Sequence, residues 1–118
     1  MRLIEIRSYK LKLGQSEEFD KIFSNRVVPM LTESGMDVVA FGPSPQEEDG
    51  YFLIRSYEDL ADRKHRQDHF YGSQEWRSGP REEIVNKIHT FLDTVVWLSV
   101  AGVEELRTAN RRGEYKVA

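Results

Sequence analysis

Two arginines, a glutamate and several tyrosines recur at matched places in two strand-like stretches. Ile6-Arg7-Ser8-Tyr9 and Ile54-Arg55-Ser56-Tyr57 are one tetrapeptide used twice, with Glu5 ahead of the first copy and Tyr51 heading the stretch that holds the second. Side chains alternate between faces in an extended chain, so Glu5, Arg7 and Tyr9 share one face, as do Tyr51, Arg55 and Tyr57. Two equivalent strands side by side place Arg7 beside Arg55 and Tyr9 beside Tyr57. Guanidinium forks grip carboxylates bidentately, and exclusion of water strengthens the grip. The predicted chemistry is recognition of a small acidic or enolizable carbonyl compound, with Tyr9 or Tyr57 donating or accepting a proton. The same residues also permit a structural outcome, in which Glu5 neutralises Arg7 or Arg55 and fixes strand register or an interface. Phe70, Tyr71 and Trp76 surround a glycine break at Gly72 and read either as the rim of a pocket or as a satellite of the core. The candidate ligand-binding residues are Glu5, Arg7, Tyr9, Arg55, Tyr57, Tyr71 and Trp76, and none is assigned a catalytic role.

Other reactive side chains read differently. His65 and His69 stand four apart, a spacing that can share a metal ion. On a helical wheel, however, they fall opposite Leu60, Phe70 and Tyr71, among Asp62, Arg66 and Asp68, which makes a solvated face and no metal site the expectation. Arg63 and Gln67 share the stripe of Leu60, Phe70 and Tyr71 and need polar partners there. Arg26 sits similarly between Phe19, Phe23 and Met30, and all three are read as long stems whose heads reach solvent. His89 is read as packing at the edge of the last helix. The chain has no cysteine, no G-x-S-x-G, no phosphate-binding glycine loop and no H-E-x-x-H, which sets aside nucleotide and protease chemistry. No cofactor is expected.

The elements that must hold these residues follow from periodicity. Leu3–Leu13 alternates as a first strand, and Gly14 ends it. Ser16 is a candidate N-cap, and Phe19, Ile22, Phe23, Val27 and Met30 then recur at helical spacing, with Pro29 set to bend the last turns before Gly35. Val38–Phe41 is a short second strand, and the Pro- and Gly-rich segment with its acidic cluster at 42–50 is a loop between antiparallel strands. Tyr51–Tyr57 is a third strand. A helix over about 58–71 follows, then a short turn at 74–77 and a third helix from Pro80 with the stripe Ile84, Ile88, Phe91 and Leu92, before a strand at Thr94–Leu98. The order β-α-β-β-α-β defines an α+β, ferredoxin-like fold with a four-stranded mixed sheet and the first and third strands as parallel central neighbours. The apolar face of Ile4, Ile6, Phe52 and Ile54 is expected under the helices. That leaves the Glu5, Arg7, Tyr9, Tyr51, Arg55 and Tyr57 face for a two-fold partner, whose barrel would enclose the arginines.

Composition fits one domain, residues 1–98, with a polar extension at 99–118 whose stretch Glu104–Arg112 is either a short exposed helix or a tail that clasps a second subunit. Seventeen basic against twenty acidic residues, interspersed, give a net charge of −3, so nucleic acid is an unsuitable partner. No apolar run is long enough for membrane insertion, and neither a signal peptide nor a long presequence is visible. A cysteine-free chain suits a reducing cytoplasm.

Ile4–Tyr9, Val38–Pro43, Tyr51–Tyr57 and Phe70–Trp76, in this order and spacing, resemble the NIPSNAP family over roughly residues 1–98. The resemblance implies a ferredoxin-like subunit assembled as a dimeric α+β barrel. The wider superfamily includes cofactor-free monooxygenases, lactone isomerases, haem-binding enzymes and members without known chemistry. The mitochondrial association of eukaryotic relatives is not expected to carry over. Two functions are compatible: a homodimeric barrel binding a small anionic or carbonyl-containing metabolite, with cofactor-free oxygenase or isomerase chemistry, or a non-enzymatic protein-interaction module whose barrel is filled by its own side chains.

Overall fold

A computed structural model describes residues 1–112. Its elements run β1 (Arg2–Leu11), α1 (Ser16–Ile22), a π-helical turn (Phe23–Val27), α2 (Val28–Glu33), β2 (Asp37–Pro43), β3 (Gly50–Tyr57), α3 (Leu60–Tyr71), α4 (Gln74–Arg77), α5 (Arg81–Val85), β4 (Ile88–Leu98) and α6 (Val100–Ala109). The α+β order β-α-β-β-α-β stands, and the four strands form one sheet in the order β2-β3-β1-β4.

Every neighbouring pair in the sheet is antiparallel, the central β1–β3 pair included, which corrects the parallel expectation. A crossover from β1 through the first helices to β2 skips one position, and β3 fills the gap running the opposite way. The register changes the pairing of the repeat. Arg7 lies opposite Leu53 and Arg55 opposite Glu5, while Tyr9 faces Tyr51 and Tyr57 faces Leu3. Neither the two arginines nor Tyr9 and Tyr57 are direct cross-strand partners.

The covered face is also the reverse of the expected one. Leu3, Tyr9, Leu11, Tyr51, Leu53 and Tyr57 join Phe19, Phe23, Leu31, Phe70, Trp76 and Ile84 in the main core. Glu5, Arg7 and Arg55 are buried on that same side. Large side chains on this face span the gap between sheet and helices, and their polar ends are satisfied by one another. The smaller aliphatic face carries Ile4 and Ile54, packed with Val39, Ala40 and Val103 of α6. Residues 99–112 thus begin as a helix folded against its own sheet, tied down by Arg107 Nη1 donating to the Val38 carbonyl at 3.0 Å and by the Arg112–Asp20 ion pair at 2.7 Å. The remainder of the extension, 113–118, lies outside the described residues.

Local signals explain most element ends. Pro29 falls in the first turn of α2, directly after the π-helical turn. A π-helical turn displaces carbonyls from the proline ring, so the helix continues where a kink was expected. Gly35 at φ +96° lets the chain leave α2, with the Met36 amide donating to the Leu31 carbonyl at 3.1 Å, a left-handed helix exit that favours glycine. The N-cap of α1 is Gln15 rather than Ser16. Asp59 caps α3 by accepting from the Asp62 amide at 2.8 Å.

The third helix is much shorter than its stripe suggested. α5 ends at Val85, and Ile88, Phe91 and Leu92 belong to β4, which pairs with nearly the whole of β1. A run rich in Thr, Val, Phe and Trp prefers a pleated strand, and β1 offers ten residues of backbone to pair with. His89 accordingly sits exposed on β4 rather than packed on a helix. Leu60, expected in the buried stripe, is exposed at the start of α3. Among the described residues no helix is long and apolar enough to cross a membrane.

Candidate functional site

Three strands and one helix face converge on the covered side. β1 supplies Glu5 and Arg7, β3 supplies Arg55 and Tyr57, and β4 supplies Asp93 directly opposite Arg7. Above them α3 presents Arg63, Gln67 and Tyr71, spaced by four and therefore aligned on one stripe.

Glu5 and Arg55 are the buried centre. Their side chains have no solvent exposure, and Arg55 donates to Glu5 Oε1 through Nε at 2.8 Å and Nη2 at 2.5 Å. Glu5 Oε2 accepts from Arg63 Nε at 2.7 Å and from Gln67 Nε2. Gln67 also donates to the Tyr57 hydroxyl at 3.2 Å. Asp93 takes a two-pronged grip from Arg7, Nε to Oδ1 at 2.7 Å and Nη2 to Oδ2 at 3.0 Å, and accepts from Arg63 Nη2 at 3.1 Å. Three guanidiniums thus face two carboxylates, a formal surplus of one positive charge. Among the described residues every buried side-chain nitrogen and oxygen has a partner. Such closure is what makes burial of so many charges tolerable.

Tyr71 stands where this network meets open space. Its hydroxyl oxygen accepts from Arg7 Nη1 at 3.1 Å and from Arg55 Nη1 at 2.9 Å. A phenol oxygen has two lone pairs and one proton, and a guanidinium only donates. Both acceptor positions are therefore occupied, and what Tyr71 has left to offer is its O–H.

Tyr71 also lines a cavity of about 410 Å³ between sheet and helices, as do Arg7, Tyr9, Gln67 and Trp76. Phe23, Val27, Leu31 and Leu53 make an apolar wall, and Arg81, Val85, Ile88 and Phe91 also contribute. This volume lies within the range of roughly 300–1,000 Å³ typical of small-molecule sites. The Phe91 ring sits 4.5 Å from the Arg7 guanidinium carbon, and Trp76 meets Tyr71 edge-on at 5.6 Å.

The structure divides the expected site residues into two layers. Arg7, Tyr9, Tyr71 and Trp76 line the cavity, whereas Glu5, Arg55 and Tyr57 lie behind it and hold the lining in place. The arginines are not free anion receptors, since each carries a carboxylate of the chain. Burial raises the Tyr9 phenol, and it pushes Tyr57 up to about 12 despite the pull of Arg55. Both hold their protons at neutral pH, so neither serves as the proton acceptor anticipated from sequence. Burial opposes the charge of Asp93, but the Arg7 hydrogen bonds and the charges of Arg7, Arg63 and Arg55 outweigh it and keep the carboxyl below its ordinary value.

Arg63 and Gln67 are structural members of the network rather than snorkelling side chains, and their shared stripe with Tyr71 was the signal. Arg26 does reach outward, to an exposed pairing with Glu83 at 3.4 Å. Asp93 was hidden by the reading of residues up to Leu92 as helix, which obscured the alternation that aims it at Arg7. His65 and His69 are exposed on α3, and among the described residues no group of His, Asp and Glu has the makings of a metal site.

The fold places the chain among solved proteins. A NIPSNAP family protein from Agrobacterium tumefaciens superposes with a TM-score of 0.76 at 14% identity, covering 86% of this chain and 90% of that one. A NIPSNAP domain protein from Burkholderia xenovorans gives 0.74 at 16%, covering 83% and 95%. A candidate antibiotic biosynthesis monooxygenase from Nitrosomonas europaea gives 0.64 at 11%, covering 84% and 91%. Identities this low speak to fold alone. No functionally curated protein matches the sequence. The NIPSNAP family model matches residues 4–99, most of the chain, and with the ferredoxin-like sheet now described this protein belongs to the NIPSNAP family.

Proposed function

We propose that this protein is a cytoplasmic homodimer in which each subunit holds one small carbonyl-containing or anionic metabolite in the cavity beside Tyr71. The carrying observation is the Tyr71 hydroxyl, fixed by two guanidiniums with its proton unclaimed by any described acceptor. A donor held in that way is suited to a carbonyl oxygen, and better suited to the oxyanion that develops when such a compound enolises. Among the described residues the cavity lining contains no Asp, Glu or His. A substrate that ionises readily by itself, losing its proton to water, and whose anion then reacts directly with dissolved dioxygen as the oxidant, fits this lining better than one that needs a general base. Cofactor-free oxygenation is thus favoured over isomerisation, in keeping with the monooxygenase-like neighbour in fold. The engagement of Arg7 by Asp93 and of Arg55 by Glu5 supports the second reading, a non-enzymatic protein-interaction module whose interior is filled by its own side chains.

The dimer reading rests on the other face of the sheet. α6 covers only part of it, leaving Leu92 at 70% and Val96 at 45% exposure beside Ile6 and Phe52. An apolar sheet face of this kind suits a second copy packed across a two-fold axis. The ligand cavities would then lie on the outer, helical sides of the barrel instead of in its lumen.

Thermal shift with a panel of carboxylic acids and enolizable carbonyl compounds tests the ligand reading, because a ligand at a hundred times its Kd stabilises by about 2.7 kcal/mol. The expected result is a saturable rise for a carbonyl compound that is diminished about ten-fold in affinity by Tyr71→Phe. A flat response across the panel contradicts ligand binding, and an undiminished response in Tyr71→Phe removes Tyr71 from the site.

A further inference from the structure

Resting on the reading of the cavity as a ligand site, we propose that Arg81 anchors the anionic end of the ligand, which makes the ligand class an amphipathic monoanion with an acceptor oxygen at its far end. Arg81 of α5 contributes to the cavity wall and is exposed, and its guanidinium has no ion-pair or hydrogen-bond partner among the described residues. The other guanidinium on the wall, Arg7, is already held by Asp93 and Tyr71. The positive charge of the lining that carries no partner among the described residues is therefore at Arg81. Apolar side chains, Val27, Leu31, Leu53 and Ile84 among them, furnish the walls with no charge of their own. A ligand matching this distribution carries its carboxylate, sulfonate or equivalent at Arg81, an apolar or aromatic body along these walls, and a carbonyl oxygen at the Tyr71 O–H. A guanidinium fork at an open rim selects for the anion and leaves the body to be chosen by shape.

Two fluorescent probes with a common hydrocarbon body separate charge from shape: anilinonaphthalenesulfonate, an anion, and phenylnaphthylamine, its uncharged counterpart. Titrations use the full chain, Arg81→Gln, and Val85→Trp, which places a bulky ring on the cavity wall at a position 42% exposed and so tolerant of it. Arg81→Gln is expected to weaken the sulfonate probe about three- to ten-fold and to leave the uncharged probe within about two-fold. It should also flatten the salt dependence of sulfonate binding. Val85→Trp should weaken both probes. If Val85→Trp weakens both while Arg81→Gln changes neither, or changes both equally, the role of Arg81 is overturned and the cavity reading stands. If Val85→Trp weakens neither, the probes bind elsewhere and the cavity reading fails with the inference.

Discussion

Glu5 is the hub of the buried network, because Arg55, Arg63 and Gln67 all bond to its two oxygens. Glu5→Gln leaves buried guanidiniums short of a counter-charge, and urea denaturation should show a loss of about 3–5 kcal/mol. Removing Glu47 from its exposed pair with Lys10 should leave the urea midpoint nearly unchanged. Asp93 links the network to pH. Its folded-state value lies below its ordinary 3.8, so its contribution is complete above about pH 4 and is lost as pH falls through the folded value. Asp93→Asn should therefore flatten the acid limb of the stability curve, measured by denaturation from pH 6 to about pH 2, while lowering stability at neutral pH. An unchanged acid limb would show that Asp93 is not held by Arg7 in solution.

At the scale of elements, the open face of the sheet is the feature with the largest expected effect. Leu92→Asp combined with Val96→Asp should turn a dimer into a monomer in size-exclusion light scattering, because both positions are exposed on the sheet face opposite the main core, which α6 covers only in part. A wild-type chain that is itself monomeric at micromolar concentration contradicts the barrel. The sequence made much of this architecture legible. Period-two alternation located β1 and β3, and the glycines and prolines placed the turns around them. Alternation shows which residues share a face without showing which face is covered, and here Ile4 and Ile6 looked more core-like than Arg7 and Arg55. The ion pairs that make the charged face buriable involve Asp93 and Arg63, far away in sequence. Ile84 and Ile88 fell at helical spacing although a helix and a strand divide them, and that accident concealed Asp93. Tyr71 and Trp76 were visible as an aromatic cluster around Gly72, but the two guanidiniums on the Tyr71 oxygen emerge only from the packing of α3 onto β1 and β3.

The whole molecule is an α+β sheet with two unlike sides, one holding a closed charge network beside a cavity and the other offering an apolar surface. Its net charge of −3 comes with basic residues interspersed among acidic ones, and under the proposed function specificity would reside in the Arg81 guanidinium and the Tyr71 hydroxyl at the cavity wall. Methyl-resolved NMR during titration with an aryl keto acid such as benzoylbutyrate tests the central claim most directly, since methyl probes mark both sides of the sheet. Saturable shifts are predicted at Val27, Leu31, Leu53, Ile84 and Val85, which line the cavity, and not at Ile6 or Val96 on the opposite face. Shifts confined to Ile6 and Val96, or no saturable shift at the cavity methyls up to the solubility limit of the probe, would contradict a ligand site beside Tyr71.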